Sequence, residues 1–195
     1  LNAHAKIRVS IELGFSGCLA EARSILRDAI EFVAHAHAML HDPELQKTWL
    51  NKNDGESARE AFKDAFERQK KQGVFKGLEE LHRTWGQLSE IGSHANLNAI
   101  YDRFGCVASE KNVKFTINYT GVEPRMWAMS LFSMLLACFT MERTLFSDYE
   151  DRLKLDDGLV RMRAEFERHK EQLRRNLILR YQVKPPKRKS LIHVP

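Results

Sequence analysis

Residues suited to proton transfer cluster in one short stretch, WGQLSEIGSHAN, which runs from Trp85 to Asn96. Histidine titrates near neutral pH, and Ser89 and Glu90 lie about one turn before His94, so the stretch is a candidate for general acid–base chemistry. The same succession of Gly, Ser, His and Asn is also typical of a helix end followed by a sharp turn. Catalysis and simple capping are both open interpretations.

A second candidate is a polar ridge of four residues, each four apart along one predicted helix: Arg23, Arg27, Glu31 and His35. If the ridge faces water, Arg27 and Glu31 form a surface ion pair worth about 0.3–0.5 kcal/mol. If another helix covers the ridge, the same side chains form a desolvated polar cluster, which needs hydrogen-bonding partners and is a natural place for a site. The sequence leaves both alternatives open.

Three histidines stand near the end of that predicted helix. His37 and His41 are four residues apart and share a face, as two metal ligands would, whereas His35 points away from them. The chain has no HExxH arrangement, and its three cysteines form no CxxC pair. A helix dipole also favours surface histidines near a C-terminal end. We therefore predict no metal site and no bound cofactor.

Positive charge is concentrated near the C-terminal end. Residues 161–195 hold eleven Lys and Arg against three acids, a net charge of +8, whereas residues 1–160 carry 20 against 23, a net charge of −3. Such a basic arm fits contact with a nucleic acid, contact with an acidic protein, or a merely solvated face. Aromatic residues for base stacking are scarce there, so sequence-specific recognition is not expected. The candidate nucleic-acid-binding residues are Arg161, Arg168, Arg175, Lys187, Arg188 and Lys189.

Helical periodicity covers most of the chain. With 195 residues, 43% of them hydrophobic, and only three cysteines, the sequence is neither disordered nor a disulfide scaffold. The most apolar stretch, Met126–Met141, is shorter than a membrane span and is predicted to be the central core helix. The predicted helices cover residues 4–13, 17–40, 54–73, 78–92, a short segment from 93 or 96 to 104, a segment from 124 through 141, and 156–183.

One segment has the two-residue period of a half-buried strand: Val113–Tyr119. Its partner is either Cys106–Ser109, as a small hairpin, or the same strand of a second subunit. The predicted fold is therefore mainly α, a helical bundle of about six helices with one minor β-hairpin. We expect a bundle domain at residues 1–155, a long basic helix at 156–183 packed on the bundle or on a partner, and a basic tail at 184–195.

The expected setting is the reducing cytoplasm. The first ten residues lack the apolar core of a signal sequence, and cysteines are few. No membrane association is expected. A homodimer is expected from the unpaired strand and from the narrow apolar seam of the last helix, which consists of Leu159, Met162, Phe166, Leu173, Leu177 and Tyr181.

The succession of EARSILRDAIEFVAHAHAML, then WGQLSEIGSHAN, then a long apolar helix resembles bacterial all-helical proteins of the HEPN type. Proteins of that type are helical bundles of toxin–antitoxin and phage-defence systems. Many are metal-independent ribonucleases whose motif is Arg, four residues, then His. The resemblance implies that His94 is the motif histidine. Ser89 stands where the arginine is expected, so inactive binding modules fit this sequence as well as ribonucleases do.

Two functional hypotheses follow from these residues and from the resemblance. The first is a HEPN-like binding or interaction module that contacts a partner, either a nucleic acid or an acidic protein. The alternative is a metal-independent ribonuclease that uses His94 with Ser89, Arg27 and Glu31. In that case the missing motif charge comes from Arg23, Arg27 or Arg83.

Overall fold

Helices make up most of the described chain, so the predicted mainly α class is confirmed. A computed structural model describes residues 2–68, 73–92, 104–108, 112–117, 124–149 and 157–182. The chain divides into two compact units, Leu1–Lys154 and Leu155–Pro195. The elements are α1 (Asn2–Phe15), α2 (Leu19–His41), α3 (Pro43–Leu50), α4 (Glu56–Lys63), α5 (Glu79–Gly92), β1 (Phe104–Ala108), β2 (Val113–Ile117), α6 (Pro124–Tyr149) and α7 (Asp157–Tyr181).

Helix α2 is the centre of the first unit. It packs against α1, α3, α5 and α6. Leu26, Ile30 and Val33 on α2 are essentially inaccessible to solvent, and Ala22 and Ala29 beside them are fully buried. Small alanines allow neighbouring helices to approach closely. Helix α2 therefore becomes the most buried helix, although its hydropathy is only moderate. The prediction that the helix over residues 126–141 is the centre is therefore wrong.

Helix α6 leaves one stripe of its surface exposed and buries side chains on both sides of it, Phe132 and Phe139 among them. Met134, Ala137 and Met141 are buried, whereas Met126 and Leu136 are 46% and 41% exposed. The helix contacts α1, α2 and α5. By length and composition alone α6 is also able to cross a membrane, a property that it shares with core helices of soluble proteins.

Helix α1 is fastened to both α2 and α6 by polar contacts. The buried Ser10 hydroxyl donates to the carbonyl of Ala22 at 2.7 Å. The indole N–H of Trp127 donates to the carbonyl of Gly14 at 3.0 Å. A Cβ at Gly14 would lie 2.8 Å from a methyl group of Leu131, so the absence of a side chain permits the close α1–α6 approach.

Helix α3 begins immediately after α2 and was not predicted. The Asp42 carboxylate accepts hydrogen bonds from the backbone N–H groups of Glu44 and Leu45 at 2.9 and 3.2 Å. Pro43 occupies the first turn, where it has no N–H to leave unsatisfied. The Asp42-Pro43 pair therefore ends one helix and starts the next.

The helices predicted over 54–73 and 78–92 correspond to α4 and α5. A π-helical turn, Asp64–Arg68, extends α4 and buries Phe66. Gly55 rather than a capping side chain precedes α4, since Asp54 and Ser57 make no cap hydrogen bond there. Most of the short helix predicted from 93 or 96 to 104 lies outside the described residues, but Phe104 belongs to a strand and not to a helix.

Strands β1 and β2 pair antiparallel, with Cys106 opposite Phe115 in the register. On β2, Val113 and Phe115 are exposed. The second unit contains α7, whose bounds fall within two residues of those predicted.

Candidate functional site

The polar ridge of α2 is covered by neighbouring helices. The indole N–H of Trp85 on α5 donates to the Glu31 carboxylate at 2.7 Å. The Arg23 guanidinium donates to the hydroxyl of Ser130 on α6 at 2.7 Å. All four ridge residues are half-buried. Of the two alternatives that the sequence left open, the structure has the covered polar cluster.

Arg27 pairs with Asp28 at 3.2 Å rather than with Glu31. Lys6 of α1 approaches the same Asp28 carboxylate at 2.9 Å. Partial burial raises the pKa of Asp28, but the hydrogen bonds from Lys6 and Arg27 outweigh burial and leave the pKa below its usual value. The Nε of Arg27 is buried and has no hydrogen-bond partner among the described residues. Arg27 therefore keeps one unused donor inside the covered cluster.

His35 belongs to an aromatic cluster. Its ring packs edge-on against Trp49 and Phe66, with centroid separations of 5.4 and 5.1 Å. Phe62 stacks on Phe66 in the same cluster. These contacts tie α2 to α3 and α4, so the ridge ends in a packing interaction at this position.

Of the proposed catalytic set, Glu31 lies at the α2–α5 contact, and Ser89 lies on the helix that makes this contact. Ser89 lies one turn beyond Trp85 on α5, and its hydroxyl donates to the Trp85 carbonyl at 2.8 Å. Trp85 in turn holds the Glu31 carboxylate. Arg83 is exposed on α5. His94 lies outside the described residues.

A second polar cluster joins the C-terminal ends of α2 and α6. His37 Nδ1 lies 2.8 and 2.9 Å from the two carboxylate oxygens of Asp148, and His41 Nε2 lies 3.1 Å from one of them. The two imidazole rings are 4.6 Å apart between centroids. The shared face of His37 and His41 was predicted from their spacing. Asp148 was missed, because it is more than a hundred residues away in sequence.

The basic face of α7 is exposed, and several of its arginines form ion pairs with glutamates of the same helix. Arg168 lies 3.5 Å from Glu165, and Arg174 and Arg175 both bond to Glu171. These two hydrogen bonds lower the pKa of Glu171 to about 2. Arg161 donates to the carbonyl of Asp157 at 3.3 Å. Lys187, Arg188 and Lys189 lie outside the described residues.

A surface groove of about 420 Å³ lies along this helix. The exposed lining of this groove is mostly apolar, and Arg168, Gln172, Arg175 and Asn176 add polar groups to it. The lining residues are Arg168, Glu171, Gln172, Arg175, Asn176 and Leu179.

The cysteines show no sign of chemistry in the described residues. Burial raises the pKa of the Cys138 thiol to about 11, which keeps it protonated and unreactive. Cys18 is free and partly buried. Both therefore act as small packing residues.

Comparisons of this chain with protein-family models, with curated proteins and with solved structures give no match.

Proposed function

We propose that this chain is a HEPN-like helical module that binds a nucleic acid through the basic face of α7. The observation that carries the proposal is the pair Arg168 and Arg175, whose side chains are 70% and 72% exposed. They are seven residues apart, two helical turns, and line one groove together with Gln172 and Asn176.

The charges of α7 favour an anionic ligand. Residues 157–182 contain seven Lys and Arg against four acids. Arg175 shares Glu171 with Arg174, so a phosphate can take Arg175 while Glu171 keeps a partner. Such exposed ion pairs are weak, so a charge-assisted bond to phosphate readily replaces one of them. Backbone contacts of this kind bind without strong sequence preference.

The direct test is fluorescence anisotropy with a labelled single-stranded RNA over a series of salt concentrations. We expect the double variant Arg168→Gln/Arg175→Gln to weaken binding and to reduce the magnitude of the log–log salt slope by about 0.7 for each arginine. The matched control is Arg8→Gln, which removes an exposed arginine that pairs with Glu12 on α1. Equal binding and equal slopes in all three proteins would contradict the proposal.

A metal-independent ribonuclease is the second candidate function. It is favoured by the covered ridge, where Trp85 donates to Glu31 and Arg27 has a buried donor with no partner among the described residues. His94 is the proposed acid or base, and Arg23, Arg27 or Arg83 the proposed stabilising charge.

The enzyme question is decided by incubating the protein and a His94→Ala variant with labelled RNA in EDTA. Cleavage by the unmodified protein that is lost in the variant would support the ribonuclease. The same absence of cleavage in both would eliminate it and leave the binding module.

A further inference from the structure

We propose that His37, His41 and Asp148 form a binding site for a divalent transition-metal ion, with Zn²⁺ as the preferred ion. The three side chains offer two imidazole nitrogens and a carboxylate oxygen, all within 4.8 Å of one another. Two nitrogens and one oxygen are the donor set that zinc and its borderline neighbours take in proteins. This inference is independent of the nucleic-acid proposal.

The separations are close to those of a metal shell. With bonds of about 2.1 Å, tetrahedral ligand atoms lie about 3.4 Å apart. His37 Nδ1 and His41 Nε2 stand 2.8 and 3.1 Å from Asp148 Oδ1, so these two distances must lengthen by about 0.3–0.6 Å to admit the ion. The two nitrogens lie within 4.8 Å of each other, so all three atoms can adjust to one ion.

His37 also faces Asp148 symmetrically. Its Nδ1 is 2.8 Å from one carboxylate oxygen and 2.9 Å from the other. A single N–H cannot point straight at both oxygens, so neither hydrogen bond has ideal geometry. Binding of the ion needs the same tautomer change in both rings, because both facing nitrogens donate to the Asp148 carboxylate. Neutral His37 must carry its proton on Nε2 instead of Nδ1, and neutral His41 on Nδ1 instead of Nε2; a tautomer change of a neutral ring releases no net proton.

The backbone supplies further negative potential at this point. Helix α2 ends at His41, and its C-terminus carries the equivalent of about half a negative charge beside these side chains. A cation gains from this helix dipole in addition to the charge of Asp148 itself.

Burial differs across the cluster in a way that suits an open metal site. The Asp148 side chain is 6% exposed and His41 is 51% exposed. The carboxylate is therefore held in a fixed position, while the side of His41 is open to water. Three protein ligands and a solvent-facing position leave room for a water molecule as the fourth ligand.

The test is isothermal titration of the full chain with zinc sulfate, followed by Co²⁺ substitution and visible absorption spectroscopy. We expect one ion per chain and the absorption bands of tetrahedral Co²⁺. Loss of an outer partner of a metal ligand already weakens binding by about 10- to 100-fold, so we expect at least about 100-fold for loss of a ligand in His41→Ala and Asp148→Asn.

The matched control is His4→Ala, which removes an exposed histidine on α1 and should leave the affinity unchanged. Because Asp148 is buried, its variant is first checked for helical content by circular dichroism; exposed His41 provides a second variant that does not depend on this check. Failure of the unmodified chain to bind one ion, or equal affinities in His4→Ala and His41→Ala, would show that the cluster is only a hydrogen-bonded link between α2 and α6.

Discussion

The indole N–H of Trp85 donates to the carboxylate of Glu31 at 2.7 Å, and this one contact joins the polar ridge of α2 to α5. Both side chains are half-buried. A hydrogen bond to an ionised acceptor in such surroundings is stronger than one between neutral groups. The contact therefore fixes how α5, with Ser89 one turn further on, lies against the ridge.

Replacement of Trp85 by Phe removes the donor while keeping an aromatic ring. We expect the free energy of unfolding to fall by about 1.5–3 kcal/mol, because the partly buried carboxylate loses a charge-assisted hydrogen bond. Urea denaturation of Trp85→Phe, Glu31→Gln and the double variant measures the coupling between the two residues. A coupling energy of zero in this cycle would show that the bond contributes nothing.

The central position of α2 predicts where truncation is most damaging. Leu26 is fully buried on α2, and Leu26→Ala should cost about 2–5 kcal/mol through lost burial and the cavity left behind. Leu136→Ala on the exposed face of α6 should cost much less, since that side chain is 41% exposed. Thermal or urea unfolding of the two variants compares them. A larger loss of stability in Leu136→Ala than in Leu26→Ala would show that α6 and not α2 is the central helix.

Much of the fold was predictable because helical periodicity depends on local sequence. The bounds of α2, α5 and α7 fall within about two residues of those expected from apolar spacing and stop signals. The order of burial was not predictable in this way. Hydropathy indicates the Met-, Leu- and Phe-rich α6 as the most buried helix, whereas close packing favours burial of α2 with its alanines. Only the assembled core shows that close packing decides which helix is buried most.

The start of helix α3 carries a sequence signal with two meanings, the end of one helix and the start of the next. The helix predicted over residues 17–40 stops just before Asp42 and Pro43, a pair that disfavours the continuation of a helix. The same pair is a capping residue and a first-turn proline, and the structure uses it for both purposes.

In the candidate sites, too, the local parts could be predicted from the sequence and the tertiary partners could not. The four-residue steps of the polar ridge and of His37 and His41 come from local helix geometry and are visible in the sequence. Their partners Trp85, Ser130 and Asp148 come from tertiary packing and carry no spacing signal.

The pKa of Glu171 gives a prediction on α7. Hydrogen bonds from Arg174 and Arg175 depress it to about 2, below its ordinary value of 4.5. A carboxyl with a lowered folded-state pKa stabilises the helix above its unfolded pKa, and this contribution is lost as the pH falls from about 4.5 towards 2. Carboxyl-carbon NMR should therefore show Glu171 titrating well below the ordinary value of a glutamate.

The matched variants for this titration lie on the same helix. Arg174→Gln/Arg175→Gln should return the Glu171 midpoint towards its ordinary value, because both donors are removed. Arg161→Gln should leave it unchanged, since Arg161 bonds to a backbone carbonyl instead. A midpoint that does not respond to the double variant would mean that the two arginines do not hold Glu171 in solution.

The tail beyond α7 gives the last prediction. Residues 184–195 contain four of the eleven basic residues of the C-terminal region and no acid, so their deletion removes positive charge without removing an ion-pair partner within the tail. We expect a chain ending at Val183 to retain labelled RNA or DNA less well in a low-salt mobility-shift assay, because fewer counterions are released on binding. A full-length variant with Lys184, Lys187, Arg188 and Lys189 changed to Gln separates charge from length and should match the deletion. If the chain with the neutralised tail retained nucleic acid as well as the intact chain does, the tail would have no electrostatic part in binding. If the intact chain itself retained no nucleic acid at low salt, nucleic acid would be removed as the partner of α7.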